Sequence, residues 1–173
     1  FYSYVDGNES NFYEEISRNN KEDVSATGRG ALTQVFVNSE DEEVIVTVIN
    51  TYLAKAIADY NEKRDEVSFN VYGKTSSSSV SGEDFAIADV EKDDFVLVTY
   101  ADKAIQSISD VEIISDTEIS KFSANGSKVT SVTVDGTKYD SSKTLTYDED
   151  TLDEYVQDNL KDTTYNVYLD QYG

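Results

Sequence analysis

Carboxylates are the groups with the most chemistry to offer in this chain. Its 173 residues carry 35 Asp and Glu against 14 Lys and Arg, a formal charge of −21. Calcium takes roughly 6–8 oxygen ligands, many of them carboxylates. One group suited to that is Asp148, Glu149, Asp150 and Asp153, at a loop-to-helix junction. A second cluster is Asn38, Glu40, Asp41, Glu42 and Glu43. Neither has the spacing of an EF-hand loop. Both have plainer readings: a helix N-terminus favours negative charge through its dipole, and an acidic hairpin tip stays solvated. The first group is the calcium candidate, and no other cofactor is expected.

Two carboxylates also suffice for glycoside hydrolysis. Asp93 with Asp94, Glu14 with Glu15, and Asp148 with Glu149 and Asp150 are adjacent acids. With 35 acids present, such adjacency arises by chance, and no Trp is available to stack on a sugar. The chain has no His, which removes the usual general base and every Ser-His-Asp scheme. It has no Cys either, so disulfides, thiolate metal sites and Cys nucleophiles are excluded. The Gly28-Arg29-Gly30 and Ser76–Ser79 stretches match no phosphate loop or nucleophile elbow. We expect no catalytic residues and no enzyme. Tyr52, Tyr60, Tyr72 and Tyr100 could stack on glycans, but Tyr equally fills strand faces and sheet cores. The negative charge argues against nucleic acid, whose phosphates need Lys and Arg clusters.

The elements that must position these groups are strands. Hydrophobic residues at 38% and aromatics at 12% can furnish a core, so order is expected despite the charge. No stretch approaches the length of a membrane helix. Leu32–Val37 and Val44–Ile49 are β-branched runs around an acidic turn. Val67–Tyr72, Phe95–Tyr100, Ile105–Ile114, Thr117–Ala124, Ser127–Val134 and Tyr165–Leu169 read likewise. Asn125-Gly126 and Asp135-Gly136 are hairpin signals, because a type I′ turn needs positive φ at both central residues. Lys74–Gly82 reads as a Ser-rich loop. Short helices are expected at 9–18 and at 151–160, the latter from the Thr151 to Glu154 capping box.

Thr51–Tyr60 is ambiguous taken alone, with Ala content favouring a helix. Leu32–Gly73 and Phe95–Gly136 are equally long and share their order of apolar runs, turns and final Gly. That order suggests an internal repeat. The counterpart of the ambiguous segment is then Glu118–Ala124, which is β in character, so a long strand is expected. The predicted fold class is mainly β: tandem small barrel-like or sandwich-like units with one or two short helices. The divisions are a 1–29 N-terminal segment, a first unit at 30–82, a second at 83–142, and a 143–173 helix and strand leading toward a further unit.

The runs VIVTVINTYLAK and DDFVLVTY, with the tail YNVYLDQYG, resemble β-rich modules of Gram-positive surface proteins that carry S-layer homology anchoring repeats. The anchoring repeats themselves are not in this sequence. The resemblance implies an exported, extracellular protein on the bacterial cell surface, and it transfers no site residue. The function expected from it is structural display, with adhesion to glycans or to a protein partner as the alternative. Partners would be other surface modules or cell-envelope components, with no insertion into membrane.

Overall fold

The computed structural model describes residues 2–10, 27–125, 128–145 and 163–173. The protein is mainly β. In chain order the strands are β1 (Tyr2–Val5), β2 (Asn8–Glu9), β3 (Ala31–Asn38), β4 (Glu43–Ala56), β5 (Glu66–Val71) and β6 (Ser78–Ser81). They continue with β7 (Phe95–Ala101), β8 (Ala104–Asp110), β9 (Glu112–Asn125), β10 (Lys128–Val134), β11 (Thr137–Asp140) and β12 (Thr164–Leu169). Strands β1–β8 form one eight-stranded sheet, and β11-β10-β9-β12 form a second of four strands. The boundary between sheets therefore falls between β8 and β9.

Strand β4, 14 residues long, organises the larger sheet. Its first half pairs antiparallel with β3, Ala31 opposite Asn50 through Asn38 opposite Glu43. The same half pairs parallel with β1. Its second half pairs with β7 and β5 instead. The repeat-based expectation for Thr51–Tyr60 is met as far as Ala56, where the strand ends. Tertiary pairing on both sides overrides the helical preference of its alanines.

Alternation explains the main core. Val67, Phe69 and Val71 of β5 point inward, as do Tyr52, Ala54 and Ala56 of β4 and Val96, Val98 and Tyr100 of β7. The residues between them take the opposite face, as a period of two requires: Lys55, Ser68, Asn70 and Thr99 are polar, whereas Leu53 and the buried Leu97 are apolar. The order β8-β7-β4-β5-β6 curls until β6 touches β8, enclosing Val80, Ile87 and Ile105 as well. Each large apolar side chain fully buried contributes about 1.5–3 kcal/mol. This cluster therefore outweighs the smaller one at Ala31, Val46 and Val48 and the third at Ile119 and Val134.

Two expectations change. The Ser-rich stretch holds strand β6, in which Ser78 and Val80 are buried while Ser79 bonds outside to Ser68 across 2.6 Å. Serine is small enough to alternate with one valine on a core face, which composition alone does not reveal. The Ile105–Ile114 run divides at Val111 into β8 and the start of β9, in different sheets. The helix predicted at 151–160 lies outside the described residues, as does that at 9–18 apart from Glu9, which closes β2, and Ser10. Asp135 (φ 47°) and Gly136 (φ 80°) form the predicted turn between β10 and β11. Asn125 pairs with Lys128 in the predicted β9–β10 hairpin.

Candidate functional site

The densest polar arrangement starts at Asp6, in the turn between β1 and β2. Asp6 (φ 48°) and Gly7 (φ 79°) are the central residues of that turn, with Val5 opposite Asn8. Asp6 is buried, and its carboxylate is fully engaged on β4. Oδ1 accepts the Asn50 backbone N–H at 2.8 Å. Oδ2 accepts Asn50 Nδ2 at 3.2 Å and the Tyr52 hydroxyl at 2.5 Å. Lys74 Nζ donates to the same hydroxyl at 3.0 Å. The ammonium also lies 4.2 Å from the Tyr52 ring centroid and 5.1 Å from that of Tyr100. A cation over two ring faces is held by their quadrupoles.

This arrangement sets the chemistry of Tyr52. Burial, then the hydrogen bond to Asp6 and its charge, hold the phenol well above the usual tyrosine range. It is therefore a proton-bearing donor, unsuited to act as a base or nucleophile at neutral pH. What Asp6, Tyr52 and Lys74 do is fasten the N-terminal hairpin to the start of the main core. A second tyrosine is held in the same way: Tyr60 donates to Asp65 Oδ1 at 2.6 Å, and that bond raises its pKa.

A second constellation ties the two sheets together. Arg29 Nε donates to the Ser141 carbonyl at 2.8 Å, and its Nη2 to Ser141 Oγ at 3.2 Å. In return the Arg29 carbonyl accepts Lys143 N–H at 2.9 Å and Ser142 Oγ at 3.2 Å. Gln171 Nε2 reaches Thr51 Oγ1 at 2.8 Å, and Thr144 Oγ1 donates to the Thr51 carbonyl. Gly30 sits in the middle with φ +76°, and a Cβ there would strike Ser142 Oγ. The Gly-Arg-Gly motif is thus a joint: its glycine permits the approach and its arginine spans it. A second contact between the sheets is the Phe95 ring of β7 on the Tyr168 ring of β12, at 4.4 Å between centroids.

The calcium candidates Asp148, Glu149, Asp150 and Asp153 lie outside the described residues. Among the described residues, no group of three acids could hold a metal ion. The cluster from Asn38 to Glu43 is an exposed turn in which Asn38 bonds Asp41 and caps the N–H of Glu40. Adjacent Asp93 and Asp94 serve separate ends. Asp93 pairs with Lys55 at 2.7 Å, which lowers its pKa, and Asp94 accepts the Glu91 N–H at 2.9 Å. Of the four tyrosines considered for stacking, Tyr52 and Tyr100 are buried, and Tyr60 and Tyr72 are half-buried. Asp6, Arg29 and Lys74 were not apparent as site residues in the sequence. Asp6-Gly7 carries the same hairpin signal as Asp135-Gly136, but its partners lie more than forty residues away. Comparison with protein-family models, with curated proteins and with solved structures found no match.

Proposed function

We propose that this chain is a non-enzymatic structural module of an exported bacterial surface protein, spacing or displaying its neighbours. The observation that carries the reading is the pair of 14-residue strands, β4 and β9, each bonded along its two halves to different partners. Extension must then break a backbone ladder, and the side-chain joint at Arg29 and Thr51 passes load from one sheet to the other. The correspondence between Leu32–Gly73 and Phe95–Gly136 is one of sequence order: the first segment lies within the larger sheet, whereas the second is divided between the two sheets. Its charge of −21 keeps neighbouring modules apart in solution.

Single-molecule stretching between the β1 and β12 ends tests the mechanical part. We expect discrete rupture peaks and recovery on relaxation; smooth extension without a peak ends this reading. Antibodies against the module should label intact cells of the source organism. Labelling that requires permeabilisation removes the surface assignment. A second reading, adhesion to glycans or a protein partner, draws on the half-buried rings of Tyr72, Phe95 and Tyr168.

A further inference from the structure

Two hairpins of the protein turn through the same pair of residues. Asp6-Gly7 joins β1 to β2, and Asp135-Gly136 joins β10 to β11. Their backbones match, with φ of 48° and 79° in the first and 47° and 80° in the second. Each closes on a two-residue loop, Val5 opposite Asn8 and Val134 opposite Thr137. Their side chains do not match. The Asp6 carboxylate is buried and accepts three hydrogen bonds from Asn50 and Tyr52. A Cβ on Gly7 would come within 3.1 Å of the Ala101 Cβ. Asp135 and Gly136 are exposed, and a Cβ on Gly136 would meet nothing within 4 Å. Among the described residues, no hydrogen bond or ion pair engages the Asp135 side chain.

An aspartate followed by glycine carries both an electrophile and a nucleophile. The glycine nitrogen, with no Cβ beside it, can close a five-membered ring on the aspartate Cγ. We propose that Asp135 is a site of spontaneous isoaspartate formation and that Asp6 is protected from it. Gly136 N bonds to Cγ of the protonated Asp135 carboxyl. The carboxyl hydroxyl leaves as water with the amide proton, and a succinimide remains. Water then opens one of the two ring carbonyls. Opening at Cγ restores aspartate. Opening at the Asp135 main-chain carbonyl leaves the chain running through Cβ and Cγ. One water is lost and one gained, and nothing is oxidised or reduced. Ring closure requires rotation about the Asp135 Cα–C bond, so the turn must open first. At Asp135 the opening is local, because β11 is a four-residue edge strand with only Tyr139 half-buried. At Asp6 it would break all three hydrogen bonds to a charged group.

The product matters because of where β11 leads. Isoaspartate adds one main-chain atom to a two-residue turn, whose dihedral angles then no longer suit the flanking strands. The pairs from Val134 with Thr137 to Ser131 with Asp140 lose their closing point. The next residue is Ser141. Its N–H donates to the Thr130 carbonyl at 2.9 Å, and its own carbonyl and Oγ hold Arg29. Ser142 and Lys143 then return to the Arg29 carbonyl. An isomerised turn therefore loosens the joint between the sheets from its β11 end, so the joint weakens as the molecule ages. The inference does not rest on the surface-module reading, since the chemistry needs only water.

Prolonged incubation of the whole chain at neutral pH and physiological temperature, followed by tryptic mapping with electron-transfer fragmentation, tests the site. Val129–Lys138 holds Asp135 as its one Asp, and Phe1–Arg18 holds Asp6 as its one Asp. Asn125-Gly126 is read apart from both, in Phe122–Lys128. We expect isoaspartate at Asp135 to exceed that at Asp6 by about tenfold or more, since losing even one hydrogen bond to a charged group is worth about that factor. In guanidinium, where both turns are lost, the two sites should react at similar rates. Asp135→Asn keeps the turn, because Asn-Gly suits type I′. It forms the same ring faster by losing ammonia, a neutral amide being a better electrophile than an ionised carboxylate. In the aged variant the amides of Tyr139–Lys143 should exchange with deuterium faster than in aged wild type, with those of β5 unchanged. No isoaspartate at Asp135 in the folded chain, an equal yield at Asp6, or unchanged exchange in Tyr139–Lys143 once the aged variant carries isoaspartate would each overturn the inference.

Discussion

Phe69→Ala should lower the unfolding free energy by about 3–5 kcal/mol, the range for deleting a buried aromatic side chain. Phe69 is fully buried at the centre of the curled unit. Directly across the β4–β5 ladder stands Ala56, with Ala54 two residues before it, both at 0% exposure. These small residues leave the space that the ring fills. Around it stand Val67, Val71 and Val98, β-branched side chains with little rotameric freedom on a strand. The chain has no Met, the unbranched side chain best able to collapse into such a void. The cavity term should therefore be retained almost in full. Urea unfolding followed by tyrosine fluorescence measures the loss. Phe36→Ala, at an exposed position of β3, is the comparison and should change stability by less than about 1 kcal/mol. Equal losses in the two variants would show that the curled unit is not the dominant core.

The elements legible in the sequence were those whose cause is local. A β-branched run followed by Asp-Gly gives a strand and a type I′ turn because neighbours alone set those dihedral angles. Thr51–Ala56 was legible only by comparison with another part of the chain, since its alanines say helix while its cross-strand partners decide the outcome. Strand β6 was hidden for the opposite reason: a serine stretch has no hydrophobic signature, yet one inward valine and one inward serine suffice beside β5. The polar anchors were hidden by distance. The Tyr52 hydroxyl meets a carboxylate 46 residues away, and Arg29 meets Ser141 at a separation of 112. Spacing along a chain reports which residues share a face, not which turn folds back onto it. Acid clusters, conspicuous in the sequence, reflect a composition in which carboxylates are everywhere. The carboxylate that organises the structure stands apart from those clusters and is conspicuous only by its burial.

That carboxylate supports the second large effect. Asp6→Asn should cost about 2–3 kcal/mol, the range for a hydrogen bond to a charged group together with a donor left poorly matched. Asparagine tolerates the positive φ of this position and keeps its shape, so the loss belongs to the charge and its acceptors. Asp6→Ala should cost about 1 kcal/mol more, because alanine also strains the left-handed backbone. Alkaline pH provides an independent reading of the same contact. In the unfolded chain Tyr52 ionises near the ordinary value of about 10. In the folded chain burial, and then Asp6, raise its pKa above that. The folded state thus binds the proton more tightly, and stability falls as pH rises. The stabilisation linked to Tyr52 is complete below about pH 10 and is lost as pH climbs through its folded pKa. Tyr60 and Tyr168 are shifted in the same direction, by the Asp65 hydrogen bond and by burial respectively, and they steepen the decline. Near-ultraviolet titration should show tyrosinate forming in two phases in the native protein, the later one coincident with loss of β-sheet circular dichroism. In Asp6→Asn burial still raises the pKa of Tyr52 but the carboxylate does not, so the late phase should move to lower pH. An unchanged alkaline transition, with an unchanged urea midpoint, would mean that Asp6 does not hold the N-terminal hairpin on β4.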